Sequence, residues 1–167
     1  MTYDEIAEAY DVYFSAPEYV AEDLMYVHQF MTNWQAAIDD LGCGTGMLLE
    51  RLPIPADKYV GVDLSASMLQ IAKRKFPEHR WLHQDIAKHR PVGTYAVSLY
   101  GSLSYVHPAA VKKLLDQYQG YYVMLYADHY YPLTHKKWDL QTPYYKASEY
   151  RLQGEMHANE KYVIFKK

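Results

Sequence analysis

Residues 36–46, Ala36-Ala37-Ile38-Asp39-Asp40-Leu41-Gly42-Cys43-Gly44-Thr45-Gly46, decide how this chain reads. An apolar run stops at Gly42, glycines recur at alternate positions, and apolar residues resume at Met47, Leu48 and Leu49. This is the pattern of a strand made to turn sharply into a helix. Glycine reaches positive φ at little cost and lets a ligand approach bare backbone, so the turn reads as a cradle. About 20 residues further on, Lys58-Tyr-Val-Gly-Val-Asp63 is a second apolar run, and it ends in a carboxylate. Neighbouring strands of a parallel sheet end on one edge, which puts Asp63 beside the glycine turn, able to accept hydrogen bonds from a ligand.

The spacing narrows the ligand. Dinucleotide-binding turns use GxGxxG, whereas Gly42-Cys43-Gly44-Thr45-Gly46 is GxGxG, preceded by Asp40 and Leu41. The string resembles motif I of the class I S-adenosylmethionine-dependent methyltransferases. That resemblance implies an α/β fold, a three-layer Rossmann-like sandwich whose mostly parallel sheet ends in an antiparallel C-terminal hairpin. It implies S-adenosylmethionine as cofactor and S-adenosylhomocysteine as product. Asp40 and the backbone of Gly42, Cys43 and Gly44 would hold the methionine part, and Asp63 the ribose hydroxyls.

At 167 residues the chain is one domain by length, with little room for a separate substrate domain. We expect a helical cap over residues 1–35, a cofactor-binding core over 36–128, and an aromatic loop and hairpin over 129–167. With 17 Lys+Arg against 20 Asp+Glu, a net charge of −3, there is no electrostatic footprint for nucleic acid or an anionic membrane. The single Cys43 offers no intrachain disulfide, and the acidic start (Asp4, Glu5, Glu8) is unlike a secretory signal, so the chain reads as cytoplasmic. Tyrosine, at 19 residues, is the unusual entry in the composition; its bland reading is a ring in the core with a hydroxyl at the rim.

Residues 3–14 carry Ile6, Ala7, Tyr10 and Phe14 at helical spacing, and a second helix is expected from about Glu18 to Trp34. The opening Tyr3 to Asp11 resembles that of many small-molecule methyltransferases, where this helix lies over the cofactor. Tyr10, then Tyr3, would reach the methionine carboxylate, though a tyrosine on an apolar face also serves as packing. Ser65 is placed to cap a helix running through Met68 to Lys75. By the resemblance, Leu64 and Met68 flank the adenine, and Asp85 and Ile86 bond its edge. Met68 as core and Asp85 as a turn cap are the competing readings.

Tyr95 to Tyr100 reads as the fourth strand, with Gly101, Ser102, Tyr105 and His107 beyond its carboxyl end, where open α/β sheets bind ligands. Tyr100, Gly101 and Tyr105 are therefore expected at the cofactor and acceptor. The fifth strand is Gly120 to Asp128, and residues 149–157 and 161–166 alternate as a hairpin does. Between Pro132 and Ser148 no convincing amphipathic helix appears. We expect that helix to be missing or reduced, and the sheet face it leaves to be covered by the aromatic loop or by another subunit, which makes a homo-oligomer through the C-terminal region an open alternative.

Methyl transfer from a sulfonium mainly needs alignment, and alignment supplies about 7–11 kcal/mol. An acceptor hydroxyl or ammonium also needs a base, for which His107, then His129, are the candidates by position. No spacing of His, Cys and carboxylates suggests a metal site. The acceptor is expected to be a small molecule, in a pocket formed by Tyr10, Tyr100, Tyr105 and Tyr130. The competing functions are a module that binds the cofactor without turnover and, further off, aminopropyl transfer.

Overall fold

The structure is a computed structural model that describes residues 1–14, 27–28, 31 and 35–167. Apart from 27, 28 and 31, the expected helix from Glu18 to Trp34 lies outside the described residues. The remaining elements run α1 (Tyr3–Phe14), β1 (Ile38–Leu41), α2 (Met47–Arg51), β2 (Tyr59–Asp63), α3 (Ala66–Lys75), β3 (Arg80–His83), β4 (Tyr95–Ser98), α4 (Pro108–Leu115), β5 (Gly120–Tyr126), α5 (Leu133–Trp138), β6 (Glu155–Ala158) and β7 (Tyr162–Lys166). They build one seven-stranded sheet in the order β3-β2-β1-β4-β5-β7-β6. β1 pairs in parallel with β2 and β4, β2 with β3 and β4 with β5, while β7 runs antiparallel to β5 and β6. The chain reverses direction across the sheet at β1 and β4, and their carboxyl ends border the crevice that ligands of such sheets use.

Strand alternation sorts the core onto two faces. Ile38, Tyr59, Val97, Tyr122 and Met124 pack with Leu48, Leu49, Leu69 and Trp81, whereas Leu41, Val60, Val62, Ala96 and Val123 pack with Val111, Leu114 and Leu115 of α4. Burying each of these side chains contributes about 1.5–3 kcal/mol. Ser65 caps α3 as expected, its hydroxyl accepting from the Met68 N–H at 3.1 Å. α1 is pinned over α3 by polar contacts: Asp4 accepts from Ser65 Oγ (2.7 Å) and the Ser67 N–H (2.9 Å), and Lys75 bridges Asp11 and Glu50 at 2.7 and 2.6 Å.

The helix before the hairpin is reduced to the six residues of α5. Beyond it the chain crosses the sheet face itself. Ala147 and Tyr150 pack with Leu103, Val123, Leu125 and Phe165, and the Tyr150 hydroxyl donates to the Leu103 and Val106 carbonyls at 2.8 and 2.9 Å. Of the two covers expected for this face, the chain's own aromatic loop is present.

One polar cluster inside the fold was not anticipated. Asp39 is fully buried and accepts from His89 Nε2 (2.9 Å), the Tyr118 hydroxyl (2.6 Å) and the Val92 and Gly93 N–H groups (2.9 and 2.7 Å). Burial pushes its carboxyl up, but the donors outweigh it and hold the group below the usual carboxylate range. Asp39 points away from Asp40, its neighbour, because successive strand residues face opposite sides.

Candidate active site

The turn after β1 is tied to β2 by the Gly42 and Cys43 N–H groups, which both donate to the Val62 carbonyl (2.8 and 3.1 Å). Gly42 sits at φ 78°, and a Cβ there would lie 2.3 Å from Ser102 Cβ, so only glycine lets the β4 loop close on the turn. Gly44, at φ 54°, is different: a Cβ on it would meet nothing within 4 Å, because it faces open pocket. Asp63 then bonds the turn itself. Its Oδ2 accepts from the Gly44 N–H and its Oδ1 from the Ser65 N–H, both at 2.8 Å, so the carboxylate is locked with its remaining lone pairs available. Burial raises its pKa, against the opposing effect of these N–H donors.

The pocket has a volume of about 470 Å³, within the range of small-molecule sites of about 300–1,000 Å³. Gly42, Gly44, Asp63, Leu64, Met68, Asp85 and Ile86 line it together with α1 residues Tyr3, Asp4, Tyr10 and Phe14. Tyr100, Tyr105, Tyr126, Tyr130 and Tyr162 form the rest of a tyrosine wall. Tyr126 is the hub of that wall, with the Tyr105, Tyr130 and Tyr162 rings 5.8–5.9 Å away. Each such ring pair contributes about 0.5–1.5 kcal/mol beyond its burial, which stiffens the wall.

A smaller cavity of about 30 Å³ adjoins the turn, lined by Tyr10, Asp40, Gly42, Cys43, Gly44, Thr45 and Tyr100. Thr45 Oγ1 is buried there with no hydrogen-bond partner among the described residues. Asp40 is buried too, accepts from the Tyr59 hydroxyl at 2.7 Å, and is pushed up to about 7 by burial and the nearby Asp63 charge, against the opposing effect of that hydroxyl. Its stability contribution is therefore complete below the unfolded value near 3.8 and is lost as pH rises towards about 7. Thermal unfolding of the ligand-free protein should show a loss of stability across that window, and Asp40→Asn should flatten it; identical slopes would contradict the burial of an ionisable Asp40.

Most of the residues expected at the site from sequence meet there. Met68 both lines the pocket and packs with Ala7 and Ile71 under Tyr3 and Tyr10. Asp85 borders the pocket and also caps the next turn, its Oδ1 accepting from the Ala87 N–H at 2.9 Å. Tyr100, which lines the pocket, adopts φ 55°, a strained value for tyrosine, next to Gly101 at φ 79°. Gly101 itself does not line the pocket; a Cβ there would strike the Tyr126 ring at 2.4 Å, so its role is to admit that ring. Cys43 is buried, and burial raises its thiol well above the usual range, which makes it inert packing between glycines.

His107 is not at the site. It is exposed, its Nδ1 accepts from the Ala109 N–H at 3.2 Å, and it serves as the N-cap of α4. Pro108 at the first helical position was the available signal for that role. His129 is also exposed and bonds the Glu160 carbonyl at 3.0 Å. The histidine that does approach the pocket wall is His135, which is buried, with Nε2 3.0 Å from the Tyr105 hydroxyl. No group of three or more metal-ligating side chains occurs among the described residues. No helix among them is long and apolar enough to cross a membrane.

With this geometry described, comparison with known proteins gives a consistent family. Residues 38–121, half of the chain, match the family model described as a methyltransferase domain. The chain is 37% identical over 79 residues to a malonyl-[acyl-carrier protein] O-methyltransferase of Priestia megaterium, covering 44% of this chain and 28% of that protein. It is 40% identical over 60 residues to a trans-aconitate 2-methyltransferase of Azoarcus, covering 34% and 23%. The match thus spans only about a quarter of the length of these curated relatives. Among solved structures, DesVI of Streptomyces venezuelae superposes with a TM-score of 0.60 at 23% identity, over 72% of this chain and 57% of that one. The magnesium protoporphyrin IX methyltransferase ChlM of Synechocystis, with bound SAH, gives 0.61 at 17% identity, over 87% and 81%. At those identities the likeness concerns the fold. The family match, the sheet order and the glycine turn facing Asp63 agree: the chain belongs to the class I S-adenosylmethionine-dependent methyltransferases.

Proposed function

We propose that the chain binds S-adenosylmethionine across the glycine turn and transfers its methyl group to a small-molecule acceptor held against the tyrosine wall. The observation that carries this reading is one continuous pocket running from Gly44 and Asp63 to Tyr105, Tyr126 and Tyr162. The site fits the cofactor in two respects: Thr45 Oγ1 is an orphaned buried hydroxyl beside Asp40, and the open space over Gly44 is what a Cβ would fill.

Asp63 would accept from the ribose hydroxyls. Asp40, Thr45 and the backbone of Gly42 and Gly44 would surround the amino-acid end, with Tyr10 closing over it from α1. Leu64 and Met68 would flank the adenine, whose edge would meet Asp85 and Ile86. Bound there, the cofactor supplies an activated sulfonium methyl. The protein's own contribution is orientation and exclusion of water, the effect worth about 7–11 kcal/mol when reacting atoms are aligned. The tyrosine rings favour a planar or cationic acceptor, each ring face adding about 0.5–2 kcal/mol for a cation.

Incubation with methyl-labelled S-adenosylmethionine and a panel of phenols, amines and carboxylates tests this directly. Labelled product and S-adenosylhomocysteine are expected from at least one class. Tight cofactor binding with no product from any of them would favour a binding module without turnover.

A further inference from the structure

A single hydroxyl collects the polar groups behind the pocket wall. The Tyr105 hydroxyl accepts from the Tyr3 hydroxyl at 3.1 Å, lies 3.4 Å from the Tyr126 hydroxyl and is 3.0 Å from His135 Nε2. Tyr3, Tyr105 and Tyr126 line the pocket, while His135 stands behind them, 5% exposed. Its ring lies parallel to that of Tyr105, 5.8 Å between centroids and 5° between planes, with Tyr144 and Tyr131 edge-on at 5.0 and 5.9 Å.

The direction of the 3.0 Å contact is set by the His135 tautomer. In the tautomer that carries its proton on Nδ1, Nε2 keeps its lone pair and the Tyr105 O–H donates to it, the direction in keeping with a Tyr105 hydroxyl that already accepts from Tyr3. Burial holds the imidazole below the usual histidine range. Lys136, Lys137 and Asp139, next to it along the chain, are exposed, and its packing partners are the uncharged rings of Tyr105, Tyr131 and Tyr144. A neutral, buried proton acceptor thus sits one hydroxyl away from the pocket.

We propose that Tyr105 receives the proton of the acceptor's nucleophilic group while His135, a positioning residue acting through Tyr105, receives the tyrosine's own proton, so that the acceptor is a hydroxyl or amine and not a carboxylate. The inference rests on the methyl-transfer reading above. The acceptor's X–H bond breaks and its proton forms a new O–H bond on Tyr105, as the previous Tyr105 proton passes to His135 Nε2. The lone pair on X forms the bond to the methyl carbon, and the pair of the broken C–S bond returns to sulfur. The positive charge leaves the sulfonium and appears on the imidazolium, which returns its proton to solvent after product departs. A carboxylate has no proton to give, and would place its charge against an imidazole lone pair one hydroxyl away.

The test combines two readouts on the wild-type protein, His135→Gln and Tyr105→Phe: calorimetric titration with S-adenosylhomocysteine, and its formation from S-adenosylmethionine with catechol, benzylamine or succinate as acceptor. Unchanged affinity for S-adenosylhomocysteine in His135→Gln is expected, together with a kcat about 10²–10⁴-fold lower, an unchanged KM and loss of the acid limb of the pH–rate profile. Tyr105→Phe should show the same fall in kcat, which keeps the test decisive if the buried His135→Gln side chain disturbs folding. Turnover with catechol or benzylamine and none with succinate supports the relay. Preference for succinate, no turnover with either X–H acceptor, or a pH profile unchanged in both variants overturns it. Absence of binding heat in the wild type would instead overturn the methyl-transfer reading itself.

Discussion

Asp63→Ala should weaken binding of S-adenosylhomocysteine about 10- to 150-fold. The proposed contact is a charged acceptor facing the ribose hydroxyls, and a hydrogen bond to a charged group contributes about 1.5–3 kcal/mol, where 1.4 kcal/mol is tenfold in affinity. A second effect adds to this. Asp63 accepts from the Gly44 and Ser65 N–H groups, so its loss also releases the glycine turn and the start of α3. Asp63→Asn separates the two, since its carbonyl can still accept one of those bonds without the charge. Calorimetry should therefore rank wild type above Asp63→Asn and Asp63→Asn at or above Asp63→Ala, while thermal unfolding stays cooperative in all three. Equal affinities would place the ribose elsewhere.

The second large effect is on stability. Asp39→Ala should cost about 3–5 kcal/mol, because four donors lose their acceptor at once and each buried donor left unpaired costs about 1–3 kcal/mol. Against a total of about 5–15 kcal/mol for a domain, such a loss is close to disabling. The sign with pH is opposite to that of Asp40. A carboxyl held low in the folded state contributes stability that is complete above its unfolded value near 3.8 and is lost as pH falls through the lower folded value. Acid unfolding of the wild type should accordingly be steep below about pH 4, and Asp39→Asn, already weaker at neutral pH, should lose less on acidification. An Asp39→Ala variant as stable as the wild type in denaturant would contradict the buried network.

What the chain reveals about itself before folding is what is encoded locally. The glycine turn, the cap at Ser65, the acidic strand end at Asp63 and the C-terminal hairpin each depend on residues a few positions apart, and each is present. The reduced helix before the hairpin was legible for the same reason, as a failure of periodicity between Pro132 and Ser148. His107 was misassigned because position after a strand was given more weight than the proline that follows it. The networks at Asp39 and His135 lie outside such reasoning. Asp39 meets His89 and Tyr118 across 50 and 79 residues of chain, and His135 meets Tyr105 across 30. Nothing in the local pattern around His89 or His135 marks either for burial; only the folded chain brings them to their partners.

The tyrosine content also acquires a physical account. Several rings do the work of core residues, as Tyr59, Tyr121 and Tyr122 do with 1–2% exposure, while others keep one edge on the pocket and so carry hydroxyls to it. A wall of phenols is less adaptable than one of aliphatic side chains, because its rings are fixed by their neighbours and the Tyr3, Tyr105 and Tyr126 hydroxyls by hydrogen bonds. Acceptor choice in this chain should thus depend on the hydroxyl pattern of Tyr3, Tyr105 and Tyr126 more than on pocket volume.

The central claim is that a nucleoside sulfonium lies across the glycine turn with its sugar at Asp63. Isothermal titration of the purified wild-type chain with S-adenosylmethionine and, separately, with S-adenosylhomocysteine measures it most directly. Saturable heat at one equivalent with both ligands is the predicted result. No heat with either, from protein that unfolds cooperatively, would contradict it.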